Sequence, residues 1–395
     1  MPLEISRTKL ETWAGYLLEY SLGGIRSDDV VLIKGEHCTW PLLSVLQERV
    51  FAAGGIADVF LVPPDNDRGK VFGAAICRHG SVEQIQRVPD WMQARYHAMT
   101  KYIEILGAEQ PALFGDLPAD TAQALMTADE PTKNIRLAKP WVLTLFPTEA
   151  FAAMDGLSLD TYADAVVSAS VTDPRALEQV EEPLYQKLRQ TRTVRVQSRA
   201  PDGRELELRL DITGQRIVKC TGKRNFPDGE VFTSPDARSV EGEIFVDLPV
   251  TYSGTRIQGV HLCLEGGVIT RYSAVQGQDV LAKIIETDEG SHRLGEVALG
   301  MNNGLKQVLT HPLFVEKVGG TLHIAIGASY PECYHEDPGS DAGKAALATA
   351  GAEGRFNTSA QHVDIVTDFR GGGAGRAVFL DDTRLSVQGG LWVVP

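Results

Sequence analysis

The feature that most constrains this chain is a change in the rhythm of its apolar residues near position 190. Before it, extended and helical signals alternate. "DVVLIKGE" (29–36), "ADVFLVPP" (57–64), "PALFG" (111–115) and "WVLTLFP" (141–147) read as short buried strands. Between and around them, "ISRTKLETWAGYLLEYSL" has helical spacing and stops at Gly23-Gly24. "PLLSVLQERVFAAGG" opens on Pro41 and closes on Gly54-Gly55, the asymmetry expected of a helix. A further helix is expected around "YHAMTKYIEIL" (96–106), and helical spacing continues through "LSLDTYADAVVSASV" and "ALEQVEEPLYQKLRQ". Strands alternating with helices predict a mostly parallel sheet with crossover helices. After residue 190, "TVRVQSR", "ELELRLD", "EGEIFVDLPV", "TRIQGVHLCLEGGVITRYSAV" and "AVFLDDTRLSVQGGLWVV" alternate and are separated by Gly, Asp and Asn turns. That texture predicts antiparallel sheet. The expected fold class is therefore α/β in two domains. Residues 1–185 form a domain with a mostly parallel sheet, and 186–395 a mixed α/β domain with a large antiparallel sheet.

Composition narrows the function. The 395 residues are 43% apolar and 23% charged, as in a soluble globular protein. A formal charge of −14 is wrong for a surface that tracks nucleic-acid phosphates, so no nucleic-acid partner is expected. No apolar run approaches the roughly 18 residues of a membrane span, and the N-terminus lacks the basic-then-apolar order of a signal peptide. Cys38, Cys77, Cys220, Cys263 and Cys333 are odd in number, far apart and without a CxxC pair. They suggest neither a disulfide framework nor a thiolate zinc site, and a reducing, cytoplasmic home follows most simply.

The residues suited to chemistry gather in the second domain. "NFPDGEVFTSP" carries Glu230, "TDEGSHRLGEVALG" carries Asp288, Glu289, His292 and Glu296, "GGTLHIAIGASYPE" carries His323 and Tyr330, and "QHVDIVTDF" carries His362 and Asp364. In "HVD" the β-branched neighbours favour a strand, which would aim His362 and Asp364 to one face roughly 7 Å apart. Carboxylates and imidazoles without thiolates suit Zn²⁺, Co²⁺ or Mn²⁺ held for reaction rather than for structure. Each residue also has a plainer reading. Glu230 can cap a turn, Glu296 can be a solvated helix residue, His323 between Leu322 and Ile324 can be a core histidine, and Tyr330 before Pro331 can simply pack. No HExxH, GxGxxG or P-loop motif is present. His37, His79, His97, His261, His292, His311 and His335 show no second ligand at a useful spacing, and "GGGAG" (371–375) reads as a connection.

Taken together, "GEVFTSPDARSVEG", "DEGSHRLGEVALG", "GGTLHIAIGASYPE" and "HVDI" resemble the aminopeptidase T and aminopeptidase S family of metallo-aminopeptidases. "LLEYSLGGIRSDDVVLIKGE" and "LFPTEAFAAMDGLS" extend the likeness into the first domain. The resemblance implies a two-domain, usually homodimeric exopeptidase acting on peptide or aminoacyl substrates with two divalent metal ions. Its implied ligands are Glu230, Glu296, His323, His362 and Asp364, with Tyr330 as ligand or transition-state donor. Two stretches depart from the commoner family pattern: "MNNGLKQVLTHPLFVEKVGGTL" before His323, and the Gly- and Ala-rich run between Tyr330 and His362.

On this reading Glu296 is the expected bridge between the ions, Tyr330 a donor to the developing oxyanion, and Glu230 a base if it is not a full-time ligand. Asp288 and Glu289 are candidates to hold the substrate's α-amine. Two alternatives stay open. His323, His362 and Asp364 could form the facial triad of a mononuclear iron dioxygenase related to the dihydroxypyridine ring-cleaving enzymes. A non-catalytic binding protein is the other.

Overall fold

The computed structural model describes residues 3–62, 79–87, 89–109, 119–252, 255–371 and 375–395. The strand expected at 111–115, Cys77 and residues 372–374 of the Gly-rich run lie outside them. The chain divides into two compact units. One is Met1–Pro174 with Gly222–Pro227; the other is Arg175–Thr221 with Asp228–Pro395.

The first unit is built on a parallel sheet. Strand β1 (Val30–Glu36) pairs with β2 (Ile56–Val62) and with β3 (Lys101–Leu106). Strand β3 pairs with β4 (Trp141–Leu145), and β4 with the short β8 (Asn225–Phe226). Val31 to Glu36 of β1 are all buried, which explains why this strand is a continuous apolar run rather than an alternating one. The helix Trp40–Ala52 carries Pro41 in its first turn and stops before Gly54, whose φ of +87° suits a residue without a Cβ.

One expectation fails here. The helix around residues 96–106 ends at Ala98, and Lys101–Leu106 is strand β3. Lys101 to Ile105 are all buried on this strand, which lies between β1 and β4. Glu104 tolerates that place because Tyr102 donates its hydroxyl to it at 2.9 Å, with Arg136 at 3.2 Å and Lys34 at 3.5 Å. Sheet position overrides a local pattern that reads as helix.

The second unit takes in the helix Pro174–Arg189 from Arg175 onward and, among the described residues, holds two larger antiparallel sheets. The larger contains β5 (Thr193–Arg199), β6 (Glu205–Asp211), β10 (Glu241–Val246), β11 (Val250–Tyr252), β12 (Thr255–Glu265), β13 (Val268–Gln276), β17 (Ala377–Leu380) and β18 (Thr383–Arg384). The smaller runs in the order β16 (His362–Asp368), β15 (Thr321–Gly327), β14 (Leu294–Gly300), β9 (Glu230–Thr233) and β7 (Val218–Cys220). A hairpin of β19 (Ser386–Gln388) and β20 (Leu391–Val393) lies near the C-terminus.

Val196, Leu208, Ile244 and Leu262 of the larger sheet share one core with Val297, Leu299, Ile324 and Ile365 of the smaller. Alternation along the strands then decides the other face of the smaller sheet. It presents Glu296, Ala298 and Gly300 from β14, His323 and Ala325 from β15, and His362 and Asp364 from β16.

Candidate metal centre

Register brings the candidate ligands together. Across the smaller sheet Ala325 pairs with both Asp364 and Glu296, Ala298 pairs with His323, Gly327 with His362, and Gly300 with Glu230. Antiparallel partners share a face, so each functional side chain stands beside a residue no larger than alanine. Two glycines set the ends of this arrangement. Gly229, at φ +142°, lies so close to Asn302 that a Cβ would come within 2.7 Å of it. Gly327, at φ +110°, would set a Cβ 2.2 Å from the Gln361 carbonyl.

The five residues converge. His323 Nε2 lies 3.4 Å from Glu230 Oε2, 3.5 Å from Glu296 Oε1 and 4.0 Å from Asp364 Oδ1. His362 Nε2 lies 3.0 Å from Glu296 Oε2 and 3.6 Å from Asp364 Oδ1. The other nitrogen of His362 is 2.8 Å from the Ala328 carbonyl, which orients the ring and turns Nε2 inward. Glu296 (2% exposed) and His323 (1%) lie deep, while His362 is partly open. Tyr330, 38% exposed, packs its ring 4.4 Å from that of His362 and 5.2 Å from Phe232.

Two buried oxygens, Glu230 Oε2 and Asp364 Oδ1, make no hydrogen bond, although burying a carboxylate oxygen unpaired is costly. Both lie within 4.0 Å of His323 Nε2. An unsatisfied oxygen-and-imidazole donor set of this kind fits divalent cations. Two donor groups have all their ligand atoms within 4.8 Å: Glu230, Glu296 and His323, and Glu296, His362 and Asp364. They share Glu296.

Without metal, burial would raise Glu296, but hydrogen bonds from His323 and His362 hold it down at about 2. Burial would lower the two imidazoles, yet the carboxylates outweigh it. Glu296 leads in lifting His323 to about 9, and Asp364 leads in lifting His362 to about 10. Burial lifts Glu230 to about 7 against the pull of Lys317, and it also raises Asp364.

The structure adds residues that the sequence reading passed over. Glu316 joins His323 and Asp364 in a third donor group, and Asp228 and Cys220 join Glu230 in a fourth. Lys317 is buried with its ammonium against Glu230, 2.8 Å from Glu316 and 3.5 Å from Asp228. Glu181 is wholly buried with neither oxygen hydrogen-bonded, and burial lifts it to about 10. Glu316 and Lys317 lie between strands, where no periodicity marks them; the departure of that stretch from the family pattern was the available signal.

Two expectations need correction. Asp288 is a loop tie: it accepts the N–H groups of Ser291 (2.8 Å) and Ala360 (2.7 Å) and the hydroxyl of Ser359 (2.8 Å). Those contacts occupy both oxygens of the Asp288 carboxylate, which corrects its expected role toward the α-amine. His261 does have neighbours of ligand type, because Glu243 lies 3.0 Å away across the sheet and Cys263 follows at i+2. The guanidinium groups of Arg271 and Arg204, 3.7 and 3.9 Å from Glu243, already give that carboxylate cationic partners.

Fold and site together define an α/β protein with a buried carboxylate–imidazole centre suited to divalent metal. The chain belongs to the thermophilic metalloprotease (M29) family, whose profile matches residues 6–371. It is 40% identical over 112 residues to aminopeptidase T of Thermus aquaticus, covering 27% of each chain. It is 35% identical over 146 residues to aminopeptidase AmpS of Bacillus subtilis, covering 36% of this chain and 34% of that one. These matches thus span about a quarter to a third of the curated relatives' own length. The fold is that of wild-type AmpT from Thermus thermophilus, with a TM-score of 0.76 at 21% identity over 98% of this chain and 100% of that one. A 2,5-dihydroxypyridine dioxygenase from Pseudomonas putida KT2440 shares it more distantly, at a TM-score of 0.56 and 14% identity over 99% of each chain.

Proposed function

We propose that this protein is a metal-dependent aminopeptidase that releases N-terminal residues from peptides using two divalent ions of the zinc, cobalt or manganese type. The observation that carries this reading is the convergence of Glu230, Glu296, His323, His362 and Asp364 in two donor groups that share Glu296. One ion would be held by Glu230, Glu296 and His323, the other by Glu296, His362 and Asp364, with Glu316 beside both His323 and Asp364. Bound there, such ions would supply Lewis acidity and a water acidic enough to deprotonate near neutral pH.

The chain's own residues perform the remaining work. Glu296 turns Oε1 toward His323 and Oε2 toward His362, so it is the carboxylate that would be shared by the two sites. With Glu230 held as a ligand and paired with Lys317, none of the five donors is assigned as the base that moves a proton from water to the leaving amine. Tyr330, held against His362, donates its hydroxyl to the oxyanion that develops on the scissile carbonyl. The second domain, 186–395, carries the chemistry. A homodimer agrees with the family resemblance, and a cytoplasmic home agrees with the free thiols Cys38, Cys220, Cys263 and Cys333. Among the described residues no helix is long and apolar enough to cross a membrane.

The mononuclear dioxygenase reading uses only His323, His362 and Asp364. It leaves Glu230, Glu296 and Glu316 buried around the same point with no task, and is disfavoured for that reason.

Chelation should abolish hydrolysis of aminoacyl amides, and Zn²⁺, Co²⁺ or Mn²⁺ should restore it. Glu296→Gln and His362→Ala should each lower turnover at least about a hundredfold with the fold intact by circular dichroism. Full activity after chelation would sink the proposal, as would oxygen uptake with one iron per chain.

A further inference from the structure

Glu230 faces two ways. Its Oε2 points to His323 in the metal cluster, while its Oε1 meets the ammonium of Lys317. Glu316 does likewise, lying with His323 and Asp364 on one side and 2.8 Å from Lys317 on the other. Asp228 Oδ1 completes a shell of three carboxylates around that ammonium at 3.5 Å. With Cys220, the Asp228 and Glu230 part of this shell has the ligand spacing seen in the two inner groups. The difference is that the Lys317 ammonium already lies against its two carboxylates, Glu230 and Asp228.

That position is fixed by the backbone. The Lys317 N–H donates to the Phe314 carbonyl at 3.0 Å, and its carbonyl accepts the Asn302 N–H at 2.9 Å. The Asn302 side chain donates in turn to the Asp228 carbonyl at 2.6 Å. One residue therefore ties the lysine to the strand entry that supplies Asp228 and Glu230. A buried ammonium persists only where anions surround it, and a buried carboxylate shell persists only around a cation.

We propose that Lys317 is a built-in cation occupying a metal-type position beside the catalytic pair, and that it thereby limits the number of ions the centre takes and weakens their binding. This rests on the reading of the two inner groups as metal sites. Two electrostatic consequences give it a definite sign. Removing the ammonium leaves three carboxylates without their cation, a site a divalent ion can fill. It also removes a positive charge that repels the neighbouring dications.

The test is metal binding rather than activity. Chelated Lys317→Ala, reloaded with Zn²⁺ and measured by elemental analysis, should hold one more ion per chain than the wild type. Lys317→Gln keeps much of the volume and an N–H donor but no charge. In competition with a chelating dye it should bind Zn²⁺ at least tenfold more tightly than the wild type. An alanine variant recovered only in the presence of metal, with the additional ion, also supports the proposal; if it is not recovered at all, the glutamine variant decides. Unchanged stoichiometry in Lys317→Ala, or unchanged or weaker binding in Lys317→Gln, overturns it and makes Lys317 an orienting donor instead. A wild-type protein that takes up no Zn²⁺ fails the underlying metal reading before any variant is compared.

Discussion

His362 and Asp364 show how far a spacing rule reaches. Their i, i+2 relation on a strand already placed them on one face, and they do stand on one face of β16. What spacing does not reveal is that Ala328 orients the His362 ring, or that Glu296 sits 3.0 Å from its Nε2. Those contacts have a measurable consequence. Without metal, His323 at about 9 and His362 at about 10 both carry protons at pH 7. An ion can bind only by displacing them, so apparent metal affinity should rise with pH by about tenfold per unit for each proton released. Dye competition between pH 6 and 8 reads this directly, and a flat profile would contradict the proton assignment. Glu316 and Lys317 were illegible for a related reason. They lie on a connection whose course is set by Asn302 and not by any local repeat.

At the scale of elements, the site exists because the smaller sheet has a sided register. Val297, Leu299, Ile324 and Ile365 bury one face in the core, and the opposite face carries ligands interleaved with Ala298, Gly300 and Ala325. The small residues are as necessary as the ligands, since they leave the space into which the donors point. Ala325→Leu replaces a methyl by an isobutyl group between Glu296 and Asp364. It should cost about 1–3 kcal/mol of stability through overpacking and abolish metal uptake in a protein that still folds. Uptake equal to the wild type would show that the donors converge elsewhere. The alternation that creates this face was legible in "TLHIAIG" and "HVDIVTD". Strand β3 was not, because its partners β1 and β4, and the cations Lys34 and Arg136 that pair with Glu104, come from distant parts of the chain.

For the whole molecule, the buried titratable groups tie stability to metal. Without metal, Glu230, Glu181, His323 and His362 all have raised pKa values, so each favours the folded state most fully below its ordinary pKa and loses that contribution as pH rises through the raised one. For the imidazoles that window runs from about 6.5 to about 10, and for Glu181 from about 4.5 to about 10. The metal-loaded protein behaves oppositely, because its ligands bind more tightly as they deprotonate. The melting-temperature difference between loaded and chelated protein should therefore widen from pH 6 to pH 9 in scanning calorimetry. A difference that narrows would overturn the linkage.

The sequence by itself determined the class of each half of the chain, because helix and strand periods are local consequences of backbone geometry. It also determined that carboxylates and imidazoles, with no CxxC pair, were the donors available in the second half. Only the tertiary structure decided which of them meet. Strand register, two tight glycines and the path of one connection are long-range facts, and they place Glu230, Glu296, His323, His362 and Asp364 around a common point with Lys317 behind them. Spacing along a chain fixes the face a residue occupies, but which residues share a point in space depends on partners tens to hundreds of positions away.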